Sequence, residues 1–218
     1  MVTIATFTAL INQLLPEPHA GLLAGILFGA KAALSKELVA GLTTTGTLHI
    51  VALSGMNITI LAGLVNMTLL RFIKRRVASL VTIMLIVGFI FFVGPSPSII
   101  RAGIMGAISL LAIVSGRQTW GLLSWMLAIS TMILLNPSWI TDLSFQLSAL
   151  ATLGMILFGG KIASPEVPQD SLFLFWNIVE DNLRLTLSAQ VFTIPLIFLH
   201  FHRISLISPI TNLLIGWV

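Results

Sequence analysis

The chain has no cysteine, and charge is scarce: eleven Lys or Arg and seven Asp or Glu in 218 residues. Without thiols there is no disulfide, no thiolate metal site and no cysteine nucleophile. Charged residues make up 8% of the sequence, against about 25% in an ordinary soluble domain. Long polar linkers are missing as well, so a single bundle over residues 1–218 is expected. The first residues carry no basic segment followed by a small-residue cleavage site and do not read as a signal peptide. What is abundant is hydrocarbon: 57% of residues are hydrophobic and the mean hydropathy is +1.07. So much apolar surface at this length implies lipid as solvent, hence an integral membrane protein built of helices. The net charge of +4 then reports topology before it reports any taste for anions. The last residues, 213–218, are an unbroken apolar run, which predicts one piece of a longer protein.

Along the chain, Pro16 and Pro18 close a first apolar stretch over residues 1–15. Residues 20–34 read as a helix with Gly21, Gly25 and Gly29 on one stripe, the small-residue pattern that lets membrane helices approach closely. Too few apolar residues precede Lys31 for a full span of about 20, so a half-helix is predicted. Ser35 is placed to cap a short helix from Lys36 that frays in the threonine run 43–47. Residues 50–70 are long enough to span but are interrupted at Ser54-Gly55, and Arg71, Lys74, Arg75 and Arg76 stop them. Spans follow at 77–94, 99–114, 120–135 and 139–158, the last broken by Asp142 and Gln146. Residues 162–183 read as a loop with a short interfacial amphipathic helix, and 185–199 as a further span containing Pro195. About six spans plus re-entrant helices are expected. The basic turn at 71–76, Arg117 and Lys161 alternate with neutral turns at 95–98 and 136–138. The positive-inside rule puts the basic set in the cytoplasm.

Polar residues inside spans are the functional candidates. An unpaired polar group there costs several kcal/mol, roughly 1 to 3 by protein mutational measures. The string from His49 to Asn57 holds three of them, His49, Ser54 and Asn57, beside Gly55. A helix broken at Ser54 and Gly55 frees backbone groups that must be met around a cavity. Ser54 can also simply bond back to a carbonyl one turn earlier. Arg101 must pair, snorkel or line a wet path. Asp142 is the carboxylate near a span start that can pair with it, and Gln146 shares a helix face with Asp142. Gln190 and Asn212 are isolated amides suited to helix-to-helix hydrogen bonding. No metal-ligand cluster and no cofactor motif stand out.

The string His49-Ile50-Val51-Ala52-Leu53-Ser54-Gly55, after Thr45-Gly46-Thr47, resembles the signature of the competence-type DNA channel proteins (the ComEC family). So do residues 97–105, Pro-Ser-Ile-Ile-Arg-Ala-Gly-Ile-Met, and residues 143–148, Leu-Ser-Phe-Gln-Leu-Ser. Leu15-Pro16-Glu17-Pro18 with the glycine stripe, and Pro195 with the string at 208–214, extend the likeness over most of the chain in order. The resemblance implies a multi-pass channel of the cytoplasmic membrane that passes single-stranded DNA inward during natural transformation. Its other implied partners are membrane lipid, further DNA-uptake proteins and a second copy of the chain. Family members often have a second histidine shortly after Ser-Gly; here Asn57 stands in that place, so no titrating group is expected there. The OB-like and metallo-β-lactamase-like modules often found in the family are not in these residues, and neither is a His-x-His-x-Asp-His cluster. The chain is therefore read as no enzyme and as binding no cofactor.

On this reading His49, Asn57, Arg101 and Gln146 line the DNA path, since a strand needs cationic or amide groups for its phosphates. Ser54 and Gly55 form the helix break, and Asp142, Gln190 and Asn212 make polar pairings inside the membrane. Two other classes compete. A small-solute secondary transporter would use the broken helix as a midplane site and should show an inverted repeat. An intramembrane serine hydrolase would pair Ser54 with His200 or His202 and should react with serine-directed probes.

Overall fold

The computed structural model describes residues 4–29, 34–45, 55–160, 171–201 and 211. Every regular element among them is helical, and there is no strand. Helices α1 (Ile4–Leu14) and α2 (His19–Phe28) form a hairpin whose turn closes on the Pro16 carbonyl, which accepts from the His19 N–H at 3.1 Å. The glycine-striped segment ends sooner than its sequence suggests. Gly29 turns left-handed, with φ 67°, and donates to the Gly25 carbonyl, which terminates α2 after ten residues. Gly21 and Gly25 are buried within α2. Helix α3 (Lys36–Thr44) starts at Ser35, whose Oγ accepts from the Leu38 N–H at 3.2 Å. The threonine run does not fray at once. Thr43 and Thr44 donate to the carbonyls one turn back, Val39 and Ala40, at 2.7 and 2.9 Å, which keeps those residues helical.

Helix α4 (Gly55–Leu69) leads through the basic turn to α5 (Arg75–Val93), and α6 (Pro97–Val114) follows. Lys74, Arg75 and Arg76 crowd the N-terminus of α5, where the helix dipole disfavours cations. Their placement fits a role in topology better than one in helix stability. Pro97 sits at the first helical positions of α6, where its missing N–H is harmless. At the far end Gly116 (φ 67°) closes a Schellman motif, Arg117 N–H reaching Ala112 and Gly116 N–H reaching Ile113. Then come α7 (Gly121–Leu135), a 3-10 turn (Pro137–Thr141), α8 (Leu143–Phe158) and α9 (Ser171–Phe201).

Two boundaries differ from the sequence reading. The span expected over 139–158 does break at Asp142, which caps α8 after a 3-10 turn, but it runs through Gln146 without a break. The polar stretch that looked like a loop and a separate short helix joins the next span without a break in α9, which has 31 residues and contains Pro195. Glu180, Asp181 and Arg184 do not interrupt a helix; they face outward from it. The described residues contain three helices apolar and long enough to cross a membrane: Arg75–Val93, Pro97–Val114 and Val179–His200. Helices α4, α7 and α8 hold 15, 15 and 16 residues and fall short of the about 20 needed for 30 Å.

Helix α6 is the hub, packing against α4, α5, α7 and α8. Ile58 of α4, Ile86 of α5, and Ile99, Ala102 and Leu110 of α6 form the buried cluster. In lipid this burial gains little from the hydrophobic effect, because hydrocarbon surrounds the exposed state too. Close packing and a few cross-helix hydrogen bonds must supply the cohesion. Small residues allow it. A Cβ at Gly154 of α8 would run into the Ser188 carbonyl of α9, so those two backbones touch.

Candidate functional site

One end of the bundle, opposite the basic turn and Arg117, gathers the ends of α2 and α5 and the starts of α4, α6 and α8. It carries most of the polar candidates. Arg101 lies one turn into α6, and its half-buried side chain crosses to α8. There Nε donates to Ser148 Oγ at 2.9 Å, and Nη1 approaches Met105 Sδ at 3.5 Å. The N-terminus of α4 closes over the same guanidinium. A Cβ on Gly55 would stand 3.2 Å from Arg101 Nη2 and 3.0 Å from the Ala102 Cβ, so a side chain at position 55 would have to displace one of them. The partners Arg101 has found are a hydroxyl and a thioether. Among the described residues no carboxylate pairs with it. A guanidinium has five N–H donors and an obligatory charge. An arginine held by neutral groups retains both capacity and field for an oxyanion.

Asn57 serves a different contact. Its Nδ2 donates to the Ile26 carbonyl at 2.9 Å, one of the last-turn carbonyls of α2 that have no partner within the helix. This ties the α1–α2 hairpin to α4. An aromatic cluster stands nearby, with Phe7, Phe28 and Phe92 at centroid separations of 5.8 to 6.4 Å.

The expected pair between Arg101 and Asp142 does not form. Asp142 caps α8 instead, its Oδ1 accepting from the Phe145 N–H at 2.8 Å. The physical reason is position. Six residues separate Asp142 from Ser148, about 9 Å along a helix axis, and the cap geometry and helix dipole hold the carboxylate where it is. Gln146 donates to the Ile140 carbonyl at 2.7 Å, joining the 3-10 turn to α8 rather than joining Arg101. Gln190 is half-buried in α9 with no side-chain hydrogen bond among the described residues. His200 is exposed at the end of α9, with Nδ1 3.2 Å from the Leu196 carbonyl. His49, Ser54, His202 and Asn212 lie outside the described residues. Arg101 and Gly55 are thus brought together, while Asp142 and Gln146 at the start of α8 make other contacts and Gln190 stands elsewhere.

Ser148 is the residue that sequence reasoning missed. It closes the string 143–148, but nothing in the string marks this hydroxyl as the one that faces a neighbouring helix. No group of three or more His, Asp or Glu fit to hold a metal ion occurs among the described residues.

An all-helical bundle with helices fit to cross a membrane and a half-buried arginine set in its packing defines a membrane protein of the helical-bundle class. More narrowly, the chain belongs to the competence protein family, whose model (Competence protein) matches residues 26–218. It is similar to ComE operon protein 3 of Bacillus subtilis, 25% identical over 204 residues, covering 93% of this chain and 25% of that protein. It is also similar to the uncharacterized protein YcaI of Escherichia coli, 27% identical over 214 residues, covering 94% of this chain and 28% of that protein. The chain spans about a quarter of the length of these curated relatives. No solved structure matches it.

Proposed function

We propose that this chain is the membrane-embedded part of a DNA-uptake protein, and that it passes single-stranded DNA across the cytoplasmic membrane. Membership of the competence family supports the reading. The observation that carries it beyond the family is the Arg101 guanidinium, set between α4, α6 and α8 on neutral partners. A DNA strand presents one negative charge per phosphate, and a cation in low dielectric with spare donors is what such a group seeks. Asn57 spends its amide N–H on the Ile26 carbonyl and so holds the hairpin beside this site, while His49, six residues before Gly55 in the sequence, is proposed to extend the polar lining. Gln146 holds the adjoining turn of α8 in shape. The chain carries no catalytic step of its own in this proposal, and strand degradation belongs to other modules or other proteins. A second copy of the chain and further DNA-uptake proteins are its partners.

Natural transformation in a host that depends on this protein tests the proposal. Arg101→Ala should lower transformant yield about tenfold or more, the equivalent of one lost charge-assisted hydrogen bond. Arg101→Lys should keep part of it, and the membrane abundance of both variants is followed by immunoblot. Wild-type transformation by Arg101→Ala at wild-type abundance would remove Arg101 from the path.

A further inference from the structure

Away from that end, a cleft of about 680 Å³ opens along α9 beside the C-terminus of α8. Its lining changes along the helix. Trp176, Glu180 and Arg184 line it towards the start of α9, and Leu187, Val191 and Phe158 complete it. Glu180 and Arg184 are both exposed and are one turn apart, in the order that most favours an ion pair on a helix. They do not form one. Arg184 turns instead to α8, where Nε reaches the Phe158 carbonyl at 3.4 Å and the guanidinium lies against Gly160. A Cβ there would stand only 2.6 Å from Nη2. Gly160, at φ 71°, therefore leaves room for the arginine. The cation is fixed at the helix end and the carboxylate is left one turn further out.

We propose that this cleft binds a phospholipid with an amine headgroup, its phosphate on Arg184, its ammonium on Glu180 and an acyl chain along Leu187 and Val191. Three independent features select that occupant. The charges are opposite, unpaired with each other and spaced by one helical turn of about 5.4 Å, which suits a zwitterion and not an anion alone. Polarity falls from the charged turn to the apolar end along a helix apolar enough to cross a membrane, as it does along a lipid. Trp176 stands at the charged end, the level at which tryptophan concentrates in membranes. The proposal is independent of DNA transport.

Native mass spectrometry of the detergent-purified full chain tests it, with phosphatidylethanolamine, phosphatidylcholine and phosphatidylglycerol added in turn. Phosphatidylethanolamine should be retained about tenfold better than phosphatidylcholine, whose quaternary ammonium has no N–H to donate to Glu180. Glu180→Gln should bring the two to the same level. Arg184→Gln should reduce both, and size-exclusion elution and helical circular dichroism show whether each variant remains folded. Equal retention of all three lipids, preference for phosphatidylglycerol, or a phosphatidylethanolamine preference that survives Glu180→Gln would overturn the proposal. So would retention of no lipid at all, the result expected if another segment of the protein fills the cleft.

Discussion

Arg101 on α6 donates through Nε to Ser148 Oγ on α8 at 2.9 Å, a contact between residues that sequence spacing does not connect. It links the hub helix to the α8–α9 pair at the end of the bundle where α4 begins. Removing the hydroxyl leaves the guanidinium in place with one polar contact fewer. Ser148→Ala should destabilise the protein by about 1 to 2 kcal/mol, read as a lower melting temperature in detergent. Ser148→Thr, which keeps the hydroxyl, should recover most of it. Equal melting temperatures for wild type and Ser148→Ala would mean the bond carries no weight.

Two glycines separate packing from propensity. Gly154→Ala puts a methyl group against the Ser188 carbonyl and should cost about 1 to 3 kcal/mol by forcing α8 and α9 apart. Gly88→Ala on α5 meets nothing within 4 Å and should be neutral or stabilising by about 0.5 to 1 kcal/mol. Thermal unfolding of the two variants side by side decides it, and a reversed order would refute the contact.

The bond from Asn57 to Ile26 holds the α1–α2 hairpin on α4. Asn57→Leu should loosen that hairpin while leaving the hub intact. The chain has no cysteine, so a single Leu27→Cys reporter can be labelled without background. Maleimide should react several times faster when Asn57→Leu is also present, by the roughly 1 kcal/mol a lost interhelical bond is worth. An unchanged rate would place the anchor of the hairpin elsewhere.

The same cysteine-free background tests orientation. Phe72→Cys, in the basic turn and 80% exposed, should be blocked only by reagents that reach the cytoplasm. Ser138→Cys, in the neutral turn after α7, should be blocked by impermeant reagents added outside. The opposite pattern would invert the assignment made from the basic loops.

Much of the helical layout was legible because turns in this chain are punctuated chemically. The Pro95-to-Ser98 turn, the Asn136-Pro137-Ser138 turn and the basic turn each stop a helix by a recognisable mechanism, so α5, α7 and α4 end within one residue of expectation. Polarity inside helices was misleading. The charges at 180–184 suggest a boundary, yet a charged side chain at the end of a span leaves the backbone helical, and α9 runs straight through them. The type of Asp142 fits a partner for Arg101, but type does not give height along the bundle, and the cap claims it. Ser148 could not be chosen from the sequence, since serines recur along these helices and only tertiary packing picks one.

Because α6 is gripped by α4, α5, α7 and α8 at once, it has more α-helical neighbours to move against than any other described helix. Any widening of the bundle has to be hinged at a seam that belongs to fewer neighbours. Among the described residues the most extensive of these is the one between α8 and α9, where the Gly154 and Ser188 backbones meet.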